Sequence, residues 1–126
     1  MAQVTKLHYA RGRRVLELAF DDGLEAALSA EFLRVHSPSA EVRGHGPGQE
    51  TLQSGKAQVE IVDIKPVGHY AVQLVFSDQH DSGLFTWAYL RELAANERRL
   101  WSDYLEAIEQ AGLSRHPDEQ VLHFQP

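Results

Sequence analysis

The 126-residue sequence contains no cysteine. This absence excludes disulfide bonds, thiolate zinc sites, iron–sulfur clusters held by cysteine, and cysteine nucleophiles. The sequence does contain 7 histidines and 18 acidic residues. Any bound metal ion would therefore have to be held by histidine and carboxylate side chains.

The sequence also lacks a long apolar run and an excess of positive charge. No stretch approaches the roughly 20 apolar residues that span a bilayer. The first nine residues carry Lys6 and His8 and do not have the pattern of a secretory signal, so we expect a cytoplasmic protein without a membrane partner. The formal net charge is −6. Because non-specific nucleic-acid binding needs Lys and Arg to neutralise phosphates, we expect no nucleic-acid partner.

The length and composition are those of one small globular domain. Hydrophobic residues make up 43% of the chain and charged residues 24%, which is the ordinary range for globular proteins. We predict a domain over residues 1–113. The remaining residues, 114–126, are polar and bounded by proline, so we predict a loosely ordered tail there.

Alternating apolar residues predict several strands. They indicate strands at Val4–Tyr9, Arg14–Phe20 and Leu24–Leu28, and a hairpin within residues 59–76. Proline presets the backbone angle of a turn and glycine accepts conformations that other residues resist. The turn of that hairpin is therefore predicted at Lys65–Gly68.

Caps and helical spacing predict the helices. Ser29 is a candidate N-cap for a helix over Ala30–Val35. Thr86 is a candidate N-cap for one or two amphipathic helices over Trp87–Ala111, with Asn96 as a candidate break. The predicted fold class is α+β, a small two-layer sandwich with a mainly antiparallel sheet and helices packed on one face.

Four of the histidines fall in predicted loops or turns and raise the hypothesis of a metal site. A histidine–carboxylate site for iron or zinc needs two or three ligands that the fold brings together. The candidate ligands are His80, His45, His36 and Glu41. No H-E-x-x-H or comparable signature occurs, so the alternative is that each histidine caps a turn or hydrogen-bonds a backbone carbonyl.

Patterns for nucleophilic catalysis are weak. The serines that could be arranged with histidines into a triad are Ser29, Ser37, Ser39 and Ser82. The sequence has no G-x-S-x-G nucleophile elbow to support such a triad. A small enzyme that uses the loops of His45 and His80 for acid–base chemistry is therefore the last of three hypotheses.

Four stretches together resemble one known family. They are residues 32–41 (FLRVHSPSAE), 44–49 (GHGPGQ), 66–72 (PVGHYAV) and 78–90 (DQHDSGLFTWAYL). These stretches resemble the gamma-butyrobetaine hydroxylase-like N-terminal domain family, which consists largely of bacterial stand-alone proteins of unknown function. The resemblance covers about Val4–Leu93 and implies a small two-layer unit of strands and helices.

The resemblance also implies where a zinc site of the family would lie in this sequence. In the hydroxylases, this domain holds zinc through a Cys-x-Cys-x-x-Cys run and one distant histidine. Those positions correspond to Ser37, Ser39, Val42 and His80 of this sequence. Two serines are poor neutral ligands and valine is none, so the resemblance implies that the family's zinc site is lost. Serine hydroxyls would then close the turn by hydrogen bonds.

These observations lead to a non-catalytic accessory or interaction module as the first hypothesis. The hydroxylase activity is not implied, because it belongs to a second domain of those enzymes. We expect no cofactor and a protein partner of unknown identity, with self-association through an exposed sheet edge as a further option. The alternative is a metal-binding accessory protein, linked to iron or iron–sulfur handling, that binds iron or zinc.

Overall fold

Two antiparallel three-stranded sheets and one long helix make up most of the fold. The structure is a computed structural model that describes residues 2–44 and 48–117. The first sheet has the order β1 (Val4–Ala10), β2 (Val15–Phe20), β3 (Glu25–Ser29), and the second has the order β4 (Ile61–Val67), β5 (Ala71–Phe76), β6 (Leu84–Thr86). The helices are α1 (Ala30–Val35), α2 (Ala40–Arg43) and α3 (Trp87–Gln110). The predicted α+β class is confirmed, and the strands of the first sheet agree with prediction to within one residue.

The hydrophobic core is built from alternate residues of the two central strands. The buried residues are Leu16, Leu18 and Phe20 of β2 and Val72, Leu74 and Phe76 of β5. Phe32 and Leu33 of α1 and Leu90 and Leu93 of α3 belong to the same cluster. Burying one such side chain contributes about 1.5–3 kcal/mol. This shared core holds the two sheets and the helices together.

The central hairpin turns later than the sequence predicts. The predicted turn at Lys65–Gly68 is wrong, because Pro66 lies in β4 opposite Val72 of β5 and the turn occupies residues 68–70. A proline is tolerated there because β4 is an edge strand, whose outward N–H groups need no ladder partner. Tyr70 lies in this turn and is 54% exposed.

Both predicted helix caps are confirmed. Ser29 Oγ accepts a hydrogen bond from the Phe32 N–H at 3.0 Å, and Thr86 Oγ1 accepts one from the Tyr89 N–H at 3.1 Å. Each bond satisfies one of the N–H groups that have no partner in the first turn of a helix. The starts of α1 and α3 are therefore determined locally.

The structure differs from prediction in two features near α3, the course of the helix at Asn96 and the strand that precedes the helix. The candidate break at Asn96 is wrong, since α3 continues through it and the Asn96 amide donates to the carbonyl of Glu92 one turn earlier. The short strand β6 was not predicted, because three residues are too few to show an alternating pattern. No helix in the described part of the chain is long and apolar enough to cross a membrane.

Two of the four edge strands, β1 and β4, have features that disfavour pairing with another chain. The register shifts between Val4 and Lys6 in β1 and between Ile61 and Asp63 in β4. β4 also contains Pro66. Bulges and prolines at sheet edges hinder edge-to-edge association. These features argue against self-association through β1 or β4.

Residues 114–117, which the sequence assigns to a loose tail, contact the domain. The Arg115 guanidinium donates hydrogen bonds of 2.9 and 2.7 Å to the Glu31 carboxylate, whose side chain is only 7% exposed. Backbone hydrogen bonds also join this segment to residues 55–57. The ion pair therefore anchors the segment to α1. Residues 118–126 lie outside the described residues.

Substituting Arg115→Ala would leave the Glu31 carboxylate without its partner in a mostly buried position. We expect a loss of about 1–3 kcal/mol in the free energy of unfolding, measured by urea denaturation. The expected loss is reduced by solvent screening, because Arg115 is 35% exposed. Arg99→Ala is the control, since its ion pair with Asp103 is exposed on both sides. Equally small losses in the two variants would contradict the anchoring role.

Candidate functional site

Two serines of the α1–α2 turn and one glutamate of α2 converge on His80, which lies in the loop between β5 and β6. The Nε2 atom of His80 is 2.8 Å from Ser37 Oγ and 3.3 Å from Ser39 Oγ. Its Nδ1 atom is 3.1 Å from Glu41 Oε2. His80 is only 4% exposed. We call Ser37, Ser39, Glu41 and His80 the histidine cluster.

The local sequence explains how the histidine cluster is assembled. Ser37 precedes Pro38, and a residue before proline disfavours the α region, so α1 ends before it. The Ser39 N–H donates to Ser37 Oγ at 3.3 Å, which tightens the turn into α2. On the other side, the Phe76 N–H donates to the His80 carbonyl at 2.9 Å and closes the loop after β5.

Gly83 allows the loop to approach the α1–α2 turn closely. A Cβ atom at this position would collide with Ser37 Oγ and would lie 3.1 Å from Phe85 Cε1. Ser37 is itself fully buried, with 0% exposure. The missing side chain at Gly83 is thus a steric requirement of the cluster.

The ring of His80 is neutral near pH 7. Burial lowers the pKa of His80, and the positive charge of Arg34 acts in the same direction, against the opposing effects of Glu41 and Asp78. A neutral ring has one donor and one acceptor nitrogen, and a carboxylate only accepts. The hydrogen-bond network therefore places the proton on Nδ1, facing Glu41, and leaves Nε2 to accept from Ser37.

The order Ser37–His80–Glu41 is that of a Ser-His-acid triad, and its distances fall in the range of such triads. The serine hydroxyl, however, has no solvent exposure, and Gly83 packs directly against it. Acyl transfer requires a substrate carbonyl beside the hydroxyl and donors for the developing oxyanion. With its hydroxyl buried, Ser37 is not exposed to a substrate carbonyl in this structure, and the three side chains form a hydrogen-bond network.

The residues of the cluster do not fit a zinc ion of the kind that the family resemblance implies. At the corresponding positions the chain has Ser37, Ser39, Val42 and His80, of which only the histidine is a good zinc ligand. Glu41 contacts the opposite ring nitrogen from the two serines. Within residues 2–44 and 48–117, no group of three or more His, Asp or Glu residues is placed to hold a metal ion.

The other candidate ligands occupy different places. His36 Nδ1 is 2.9 Å from the Phe32 carbonyl oxygen, and the two rings pack with centroids 4.5 Å apart. Burial lowers the pKa of His36. The structure thus brings Glu41 to His80 but turns His36 toward α1. His45 lies outside the described residues.

A charge cluster next to His80, in which Arg34 is buried and Asp78 and Lys56 are partly exposed, was not predicted. Arg34 Nε donates to Asp78 Oδ2 at 2.9 Å, and Lys56 Nζ donates to the same oxygen at 2.6 Å. Burial acts to raise the pKa of Asp78. The hydrogen bond from Lys56 and the charge of Arg34 outweigh this effect and hold that pKa below its ordinary value. No sequence pattern joins these residues, because 44 and 22 positions separate them from Asp78.

A groove of about 460 Å³ runs along α3 beside the histidine cluster. One wall is α3 from Tyr89 to Tyr104, a length of about 22 Å at the helical rise per residue. The other wall is formed by residues 35–37 at and after the end of α1, by Val42 and Arg43 of α2 and by residues 50–53, so Ser37 of the histidine cluster lies at the wall of the groove. Its apolar surface includes Val35, Val42, Leu52, Leu93, Leu100 and Tyr104. We call this cavity the α3 groove.

The fold is a small α+β domain. At the positions where the family resemblance implies a zinc site, His80 forms hydrogen bonds with Ser37 and Ser39. The family model described as gamma-butyrobetaine hydroxylase-like, N-terminal, matches residues 7–91. The chain belongs to this family, and the family predicted from the sequence is confirmed.

Solved structures support the same assignment. A protein structure determined by NMR in solution is 47% identical to this chain, with a TM-score of 0.83, and the match covers 100% of this chain and 99% of the other. A second NMR structure is 45% identical, with a TM-score of 0.79 and coverage of 100% and 95%. A crystal structure from Acidithiobacillus ferrooxidans, of a DUF971 family protein with unknown function, is 42% identical, with a TM-score of 0.63 and coverage of 74% and 93%. No curated protein matches the chain.

Two buried neutral histidines make the stability of the domain depend on pH. The pKa values of His80 and His36 are lowered in the folded state, so unfolding takes up protons once the pH falls below about 6.5. Stability that is present above this pH is lost below it. We expect the free energy of unfolding to fall by on the order of 1 kcal/mol between about pH 7.5 and about pH 5.5.

The substitution His80→Gln isolates the contribution of the cluster. The amide retains a donor and an acceptor but does not titrate, so the variant should be less stable at about pH 7.5 and show a shallower pH dependence. Urea denaturation at several pH values measures both effects. A pH dependence as steep as that of the unmodified protein would contradict a neutral, buried His80.

Proposed function

We propose that this protein is a non-catalytic accessory module that binds a partner protein through the α3 groove. The groove is the observation that carries the proposal. Its volume lies in the range of about 300–1,000 Å³ typical of binding clefts, and the exposed surface of its walls is mostly apolar, although many of the side chains that line it are polar or charged.

The spacing of residues along α3 supports a binding role for this face. Tyr89, Leu93, Asn96, Leu100 and Tyr104 follow one another at steps of three and four, which places them on one side of the helix. In most helices of small domains such a stripe packs entirely against the core. Here part of it faces an open groove, and apolar surface left open in this way is typical of interaction sites.

The histidine cluster supports a non-catalytic role. It contains the triad-like set of side chains, yet its serine is buried and its histidine has hydrogen-bond partners at both ring nitrogens. A general base has to reach a substrate proton directly or through one water. Ser37 lies at the groove wall, but neither its hydroxyl nor the ring of His80 is open to a ligand, so we assign binding to the groove and a structural role to Ser37 and His80.

The alternative function is a metal-binding accessory protein linked to iron or iron–sulfur handling. One observation favours it: the Glu41 side chain is 71% exposed, so its carboxylate can leave the ring of His80 and turn toward an ion. His80 would be the principal ligand, with His45 and His36 as further candidates. Iron and zinc are the ions that such nitrogen and oxygen ligands bind.

Filling the α3 groove should abolish its binding of apolar groups. N-phenyl-1-naphthylamine is an uncharged probe whose fluorescence rises in apolar surroundings, and we expect it to bind the unmodified protein. Asn96→Trp places a large ring at the middle of the groove and should weaken probe binding by at least about tenfold. The control is Ala95→Trp, because Ala95 is exposed on α3 and does not line the groove. Equal probe binding by both variants would contradict the proposed site.

Metal analysis decides between the proposal and its alternative. For protein purified without a histidine tag, we expect iron and zinc well below one ion per chain, because only one residue at the implied zinc positions is a good ligand. Inductively coupled plasma mass spectrometry measures this content before and after addition of each metal. One ion per chain that is lost in His80→Ala would establish the alternative.

A further inference from the structure

Resting on the proposed function of the α3 groove, we infer that the partner segment that enters it is a basic amphipathic peptide. Apolar side chains of the segment would pack on the walls of the groove, and lysine or arginine side chains beside them would meet its rim. The geometry points to this charge because the charged side chains that line the groove are three acids, Glu50, Glu92 and Asp103, and two arginines, Arg43 and Arg99.

Two exposed carboxylates stand at the rim, one on each wall. Glu92 belongs to α3, and Glu50 belongs to the opposing segment of residues 50–53. Among the described residues, neither carboxylate forms an ion pair, although a third acidic side chain of the rim, Asp103, does. A cation bound across the groove would therefore meet a free negative charge from either side.

The two arginines of the rim already have partners. Arg99 Nη1 lies 3.6 Å from Asp103 Oδ2. The guanidinium of Arg43 lies 5.4 Å from the centroid of the Tyr89 ring, in cation–π geometry at one end of the groove. Three acidic and two basic side chains therefore leave the rim with one net negative charge, which has the same sign as the formal net charge of −6.

The shape of the groove favours a segment that packs its side chains over one that extends a sheet. The groove follows α3 for about four helical turns, a length suited to apolar anchors spaced three and four residues apart. Strand addition in the groove is disfavoured, because none of the residues that line it belongs to a strand. A helical or irregular amphipathic peptide is therefore the occupant to test.

Two synthetic peptides with the same leucine positions test the inference, one with lysine and one with glutamate at every other polar position. Isothermal titration calorimetry with the full chain should show that the lysine peptide binds at least about tenfold more tightly than the glutamate peptide. This preference should shrink between about 50 mM and about 300 mM salt, because ions screen exposed charges.

Substitutions at the rim test the source of the preference. The double variant Glu50→Gln with Glu92→Gln should weaken binding of the lysine peptide by about 3–10-fold, the range expected for two exposed charge contacts. Neither side chain forms an ion pair with residues 2–44 or 48–117, so folding should be unaffected. The matched control is Glu109→Gln, because Glu109 is exposed on α3 but does not line the groove, and we expect less than about a twofold change.

The outcomes separate this inference from the proposed function. Equal affinity for the two peptides, no binding of either peptide, or a preference that the double variant leaves unchanged would overturn the inference. If N-phenyl-1-naphthylamine still binds and Asn96→Trp still blocks it, the groove remains a binding site and only the charge of its partner is wrong. If the probe does not bind the unmodified protein, the proposed function fails as well.

Discussion

The rest of the structure depends on the buried contact between His80 and the turn that joins α1 to α2. A buried ring nitrogen without a partner would cost about 1–3 kcal/mol, so burial of His80 requires Ser37 on one side and Glu41 on the other. These bonds tie a loop of the second sheet to the helices that follow the first. They also set the direction of α2, which forms part of one wall of the α3 groove.

Hydrogen bonds join the side chains around His80. The family resemblance implies that in hydroxylases with cysteine ligands a zinc ion joins the side chains at this position. A zinc ion joins four side chains at once and contributes directly to folding. Here Ser37, Ser39 and Glu41 contact one imidazole, and Gly83 lets the backbone approach closely enough for that contact. The cluster is therefore enclosed, and the surface open to a ligand lies next to it, in the α3 groove.

The parts of the fold that were predicted correctly are those that depend on neighbouring residues. Ser29 and Thr86 cap their helices through bonds to the third residue beyond them, and the buried residues of β2 and β5 recur at every second position. The turn at Pro66 was misplaced because a proline is tolerated in a strand only at a sheet edge, and a strand becomes an edge strand only through its partners.

The sequence by itself determined that any metal site must lack thiolates, that His80 lies in a polar loop, and that the chain belongs to its family. Only the tertiary structure decided that His80, and not His36, meets Ser37 and Glu41, and that an apolar groove with an acidic rim opens along α3. The contacts of His80 join residues 39 to 43 positions apart, and the groove combines several separate segments. Such contacts follow from the packing of whole elements in a shared core, and no local periodicity encodes them.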